Sequence, residues 1–129
     1  MATNIYDSSQ KVASTWTNGT GSAVSSGDIV VLGSTGDATL AVAAVDIANT
    51  ATGTVYTNVG VTAAKVSAAV FAQGETLTWD SSASAFDDTS ATPASGDVTG
   101  AASRADAAGA NTETTCSVWL TGVPGTLTA

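Results

Sequence analysis

The fold class that this sequence predicts is all-β, a small barrel or sandwich-like single domain with an extended N-terminal arm. Short β-prone runs alternate with Gly, Asn, Asp and Pro turn signals, the pattern of small sandwiches and barrels. Ala, Thr and Ser make up 62 of the 129 residues and Gly adds 13, and Thr-rich strands suit a sheet with two usable surfaces. A length of 129 residues predicts one domain. The 43% apolar content is too high for a disordered acidic chain.

The elements follow in order. Residues 1–10 are polar and are expected to form the arm, 11–122 the β domain, and 123–129 a surface tail containing Pro124. A first strand is expected over 11–17, with Val12, Ser14 and Trp16 on one face. Asn18-Gly19 then favours the positive φ of a tight turn. The apolar run Ile29-Val30-Val31-Leu32 predicts a strand buried on both faces. Residues 38–46 follow, with Leu40 and Val42 alternating against Thr39 and Ala41, and 47–53 read as a connection. Over 55–65, Val55, Val59, Val61 and Ala63 share a face, with a bulge or bend expected at Gly60. Residues 67–71 are compatible with a helical turn. A strand over 75–80 points Leu77 and Trp79 inward, and a hairpin loop leads to Ala85-Phe86. Residues 87–96 form a surface loop, 97–102 a short strand, 105–111 a turn and 113–121 the last strand. Gly-Asp recurs at 27–28, 36–37 and 96–97, which reads as repeated turn chemistry, since the flanking sequences share too little for a repeat.

Composition also excludes function classes. The chain has no His, which removes His-based catalysis, metal ligation and pH switching. Cys116 is alone, so neither an intrachain disulfide nor a Cys-based zinc site can form. Three basic against eleven acidic residues give a net charge of −8, which repels phosphate backbones and argues against direct nucleic-acid binding. Neither Lys11 nor Lys65 follows Gly, so there is no Walker loop, and Gly19-Thr20-Gly21 is followed at the required position by Val24, so the dinucleotide pattern fails. Asp80, Asp87 and Asp88 could pair as glycosidase carboxylates or hold a weak Ca²⁺, but a solvated acidic loop explains them as well. Met1 to Lys11 lacks the basic and apolar regions of a signal peptide. No apolar run approaches the roughly 20 residues of a membrane span. The expectation is a soluble non-enzyme without cofactor.

The aromatic residues carry the remaining signal. Cys116 shares strand parity with Val118 and Leu120 and reads as a small buried hydrophobe. Trp119 falls on the opposite, polar face, where a Trp is either covered by a loop or used at an interface. Trp16 and Tyr6 raise the same question at and near the arm. These three residues are the candidate interface anchors.

Four stretches taken in order carry a resemblance: SGDIVVLG at 26–33, AQGETLTWDSSASAF at 72–86, DVTGAA at 97–102 and TTCSVWLTG at 114–122. Together they resemble the small phage head proteins, capsid cement or decoration proteins, that carry the "domain of unknown function 2190" label. Glu75 stands where that pattern more usually has Asp, and Thr99-Gly100 replaces an apolar-Gly pair. The resemblance implies a virion structural protein on the outer surface of an icosahedral capsid, made in the bacterial host cytoplasm. It would bind the major capsid protein as a homo-oligomer, a trimer over three-fold positions with a dimer at two-folds as the alternative. The competing reading is a tail-fibre or cell-surface adhesion module binding glycan or Ca²⁺.

Overall fold

In the computed structural model, which describes residues 4–7 and 10–129, twelve strands form two sheets, and no helix occurs among the described residues. In chain order they are β1 (Asn4–Asp7), β2 (Val12–Thr17), β3 (Ile29–Leu32), β4 (Asp37–Ala43), β5 (Thr52–Thr57) and β6 (Val59–Ala64). Then come β7 (Thr78–Asp80), β8 (Ala85–Asp87), β9 (Val98–Thr99), β10 (Ser103–Ala105), β11 (Thr115–Leu120) and β12 (Gly125–Leu127). A four-stranded sheet runs β1-β6-β11-β10, and a larger one runs β2-β5-β4-β12-β9-β7-β8 with β3 paired to β4. The sheets do not close on one another, so the sandwich form of the expected fold is the one adopted.

Strand parity sorts the core into two parts. Leu40 and Val42 of β4 face the space between the sheets with Val59, Val61, Phe86, Val98, Val118 and Leu120. The alternate residues Ala41 and Ala43 face the other way, into a smaller cluster with Val30, Ile47 and Val55. β3 is divided likewise: Ile29 and Val31 pack on the first cluster, Val30 and Leu32 on the second. This double commitment is why the run at 29–32 is continuously apolar. Trp79 and Phe86 pair across the β7–β8 hairpin with ring centroids 4.9 Å apart.

The turns share one chemical device. At Ser25–Asp28, Ala72–Glu75, Ala94–Asp97 and Ala110–Glu113 the fourth residue donates its N–H to the carbonyl of the first. Its carboxylate, in return, accepts the N–H of that first residue. In the first three, a glycine at the third position takes φ between 88° and 92°, a conformation costly for any residue with a Cβ. Each clasp precedes a strand: β3, β7, β9 or β11. Gly27-Asp28 and Gly96-Asp97 thus owe their likeness to turn chemistry, and Glu75 does the work of an Asp.

Several expected boundaries move. The strand expected over 55–65 is two strands in different sheets, and the break falls at Asn58, not Gly60. Asn58 takes φ 54° and donates to the Gln10 carbonyl. The positive φ expected at Asn18-Gly19 belongs to Gly21. Asn18 is instead fully buried, its amide donating to the Ser22 and Ile47 carbonyls. Residues 67–71 are not helical, and a single turn closes from Ala69 N–H to the Val66 carbonyl. Ser103 to Ala105 form the unexpected strand β10. The segment expected as a surface tail contributes β12, hydrogen-bonded between β4 and β9. In the stretch expected as an arm, β1 adds to the edge of the four-stranded sheet through β6.

Candidate interface surfaces

Trp119 stands on the outer face of the four-stranded sheet. In β11 the side chains of Cys116, Val118 and Leu120 are buried, while Ser117 and Trp119 are half-buried on the other side. Trp119 is in register with Gly60 on β6 and Arg104 on β10. Gly60 sets no side chain opposite the indole, and the Arg104 guanidinium of the other neighbouring strand lies 5.8 Å from the ring centroid. Arg104 is itself 3.5 Å from the Asp106 carboxylate. A cation over an exposed indole contributes about 0.5–1 kcal/mol, enough to bias the ring's orientation. The neighbouring cross-strand pairs on this face are small and uncharged, Thr62 with Ser117 and Ala64 with Thr115.

Trp16 belongs to the other sheet. It lies in β2 opposite Gly53 of β5, and it packs on the smaller core cluster. A Cβ at Gly53 would come within 2.5 Å of the Ile47 side chain, so this position must be glycine for Ile47 to reach the sheet. Trp16 therefore has a structural task on one flank and is half-exposed on the other. Tyr6 has its backbone in β1, in the same sheet as Trp119; its side chain lies outside the described residues. The three candidate anchors are thus split between the two sheets.

A feature that residue-type reasoning missed is a groove along β3. It has a volume of about 570 Å³ and runs between Ile29, Val30 and Val31 on one side and Ala63, Ala64 and Trp79 on the other. A second depression of about 510 Å³, lined by Trp16, Gly33 and Leu127, shares Thr20 and Val31 with it. No Lys or Arg lines either. The only sequence signal was the apolar run at 29–32, which does not show that one strand edge is left open.

Against this geometry, the sequence model of the phage cement protein family matches residues 8–120. The chain belongs to the phage cement protein family. The match takes in both sheets except β1 and β12, so the family relation concerns the sandwich itself. No curated protein matches the chain. A virion and capsid setting follows from the family, and with it a structural role.

The acidic residues singled out as possible catalytic or cation-binding groups hold the loops of this cement protein. Asp80 accepts hydrogen bonds from Ser82 and Ala83, and these hold its carboxyl below the ordinary value of 3.8, the Ser82 hydroxyl first among them. Asp88 is lowered in the same way by the Ser90 hydroxyl and N–H. Asp87 accepts the Asp88 N–H. Among the described residues no three acidic or Cys side chains converge as a metal site. Burial pushes the Cys116 thiol up to about 12, outweighing the nearby Lys65 charge, and its Sγ lies 3.6 Å from the Ala63 carbonyl. Lys65 is itself buried, with Nζ donating to the carbonyls of Val66, Ser67 and Glu113. Among the described residues no helix is long and apolar enough to cross a membrane.

Proposed function

We propose that this chain docks on the outer surface of an icosahedral phage shell and holds neighbouring major capsid proteins together. The observation that carries this reading is the family match across residues 8–120. The surface is consistent with it. Lys65 is buried, so of the three basic side chains only Lys11 and Arg104 remain to offset the acids of the surface. Such a protein is repelled by packaged DNA and suited to the outside of the shell. Trp119, half-buried beside the small cross-strand pairs Thr62 with Ser117 and Ala64 with Thr115, suits an interface anchor, with Trp16 and Tyr6 as the further candidates. The protein would act as a homo-oligomer, since its core is thin and oligomer contacts would bury more surface.

The test uses phage shells stripped of this protein. Purified protein is added back, bound mass is measured, and the heat resistance of the shells is compared before and after. Rebinding with raised heat resistance is the expected result, and light scattering of the free protein gives the oligomer. Shells that neither retain the protein nor gain resistance would refute the reading. Binding to glycan or Ca²⁺ in their place would promote the adhesion module.

A further inference from the structure

We infer that β3 is a strand acceptor: its open edge receives an extended, cationic segment of the shell protein, which adds to the sheet inside the groove. The inference rests on the cement reading above and names the contact through which it would act. β3 pairs with β4 on one side, and among the described residues no strand pairs with its other side. The ladder fixes which groups are left over. The Ala43 N–H donates to the Asp28 carbonyl, 2.9 Å away. Alternation from that bond makes Val30 and Ala41 the hydrogen-bonded pair and turns the N–H and C=O of Ile29 and Val31 away from β4.

Proteins blunt such edges with Lys, Pro, a bulge or a cover. Ile-Val-Val-Leu has neither Lys nor Pro and keeps regular register with β4. The groove beside it is open and walled by Ala63, Ala64 and Trp79. Main-chain pairing along such an edge supplies affinity, and pockets for alternate side chains supply selectivity.

Charge selects the occupant. Asp28 lines the groove, and Asp46 accepts the Ser26 N–H in the turn that precedes β3. No cation lines it. A second copy of this chain would bring another net −8 to the same edge, whereas a segment carrying Lys or Arg beside its β-branched residues would be drawn in.

The test compares wild-type protein with Val31→Pro on stripped shells. Because the Val31 N–H points away from β4, proline there removes an outward donor and leaves the β3–β4 bonds in place. Circular dichroism and thermal melting establish that the variant folds. Its affinity for shells should fall about tenfold or more, while Val123→Ser, at an exposed valine elsewhere, should bind as wild type. Hydrogen exchange on wild-type protein gives an independent readout: the Ile29 and Val31 amides should become protected only when shells are present. Unchanged exchange at both amides with shells bound overturns the inference and leaves the cement reading intact. Protection without shells, accompanied by a doubled mass, makes a second copy the occupant and overturns it too. Wild-type protein that fails to bind shells at all overturns both.

Discussion

Asp97 joins two separate loops through one carboxylate, and replacing it offers the sharpest check on the clasp reasoning. The side chain is buried. One oxygen accepts the Ala94 N–H at 2.9 Å, and the other accepts the Ser81 N–H at 3.0 Å and the Ser81 hydroxyl at 3.3 Å. It thereby ties the loop before β9 to the β7–β8 hairpin. Asp97→Ala deletes three hydrogen bonds to a charged acceptor and leaves two backbone N–H groups without their partner. Such bonds contribute roughly 1.5–3 kcal/mol each, but members of one network do not add fully, so the expected loss is about 3 kcal/mol. For a chain of this size that lowers the melting temperature by roughly 10 °C. Asp97→Asn can still accept from Ser81 and should lose about 1–2 kcal/mol. Asp88→Ala, whose bonds stay within its own loop at Ser90, should lose under about 1 kcal/mol. Urea unfolding of the four proteins, read by tryptophan fluorescence, gives the comparison. Burying a carboxylate is itself costly. If Asp97→Ala proves neutral or stabilising, desolvation outweighs the three donors, and the clasp does not hold the turn.

Three further outcomes are expected. Cys116 should resist alkylation in the folded protein at pH 8 and react once urea unfolds it; because its folded value is raised to about 12, stability should decline as pH rises above 9 toward that value. Deleting residues 124–129 removes β12 from between β4 and β9, so circular dichroism should show loss of the cooperative fold, where a true surface tail would be dispensable. Trp119→Ala should cost only about 1 kcal/mol of stability, against about 3–5 for Trp79→Ala in the core. In the shell-binding assay the order should invert among folded proteins, with Trp119→Ala the weak binder, and equal binding would remove Trp119 as an anchor.

The sequence was legible where one local rule governs. The run at 29–32, the parity of Leu40 and Val42, the β7–β8 hairpin and the last long strand all follow from short-range pattern, and all are present. It was not legible where long-range pairing decides. Gly-Thr-Leu near the C-terminus has too few residues to announce a strand, and β12 exists because β4 and β9 leave it a slot. Val55 and Val59 share parity, but Val55 is buried in the smaller cluster and Val59 between the sheets. A left-handed Asn58 makes that switch possible, and hydrophobic spacing cannot see it. For the candidate surfaces, parity placed Trp119 on the polar face, where it is half-buried over Gly60. Trp16 reads equally as core or anchor, because the ring packs on the smaller cluster and still stays half-exposed.

The acidity of the chain is in large part architectural, and this gives it a further consequence. Asp28, Asp46, Glu75, Asp80, Asp87, Asp88, Asp97 and Glu113, eight of the eleven acids, each accept a backbone N–H. A carboxylate whose accepted bonds favour its ionised form loses part of them when protonated, and in this chain Asp80 and Asp88 are held in that way by Ser82 with Ala83 and by Ser90. Asp80 and Asp88 have folded values below 3.8. A depressed folded value contributes stability that is present above the unfolded value and is lost as pH falls through the folded one. The share of stability that these two groups supply should therefore hold from neutral pH to about pH 5 and decline below about pH 4. Denaturant midpoints measured from pH 7 to pH 2.5 check this. A midpoint that stays level through pH 3 would mean that Asp80 and Asp88 sit in their loops without holding them, and their place in the negative field would then need its explanation in the partner alone.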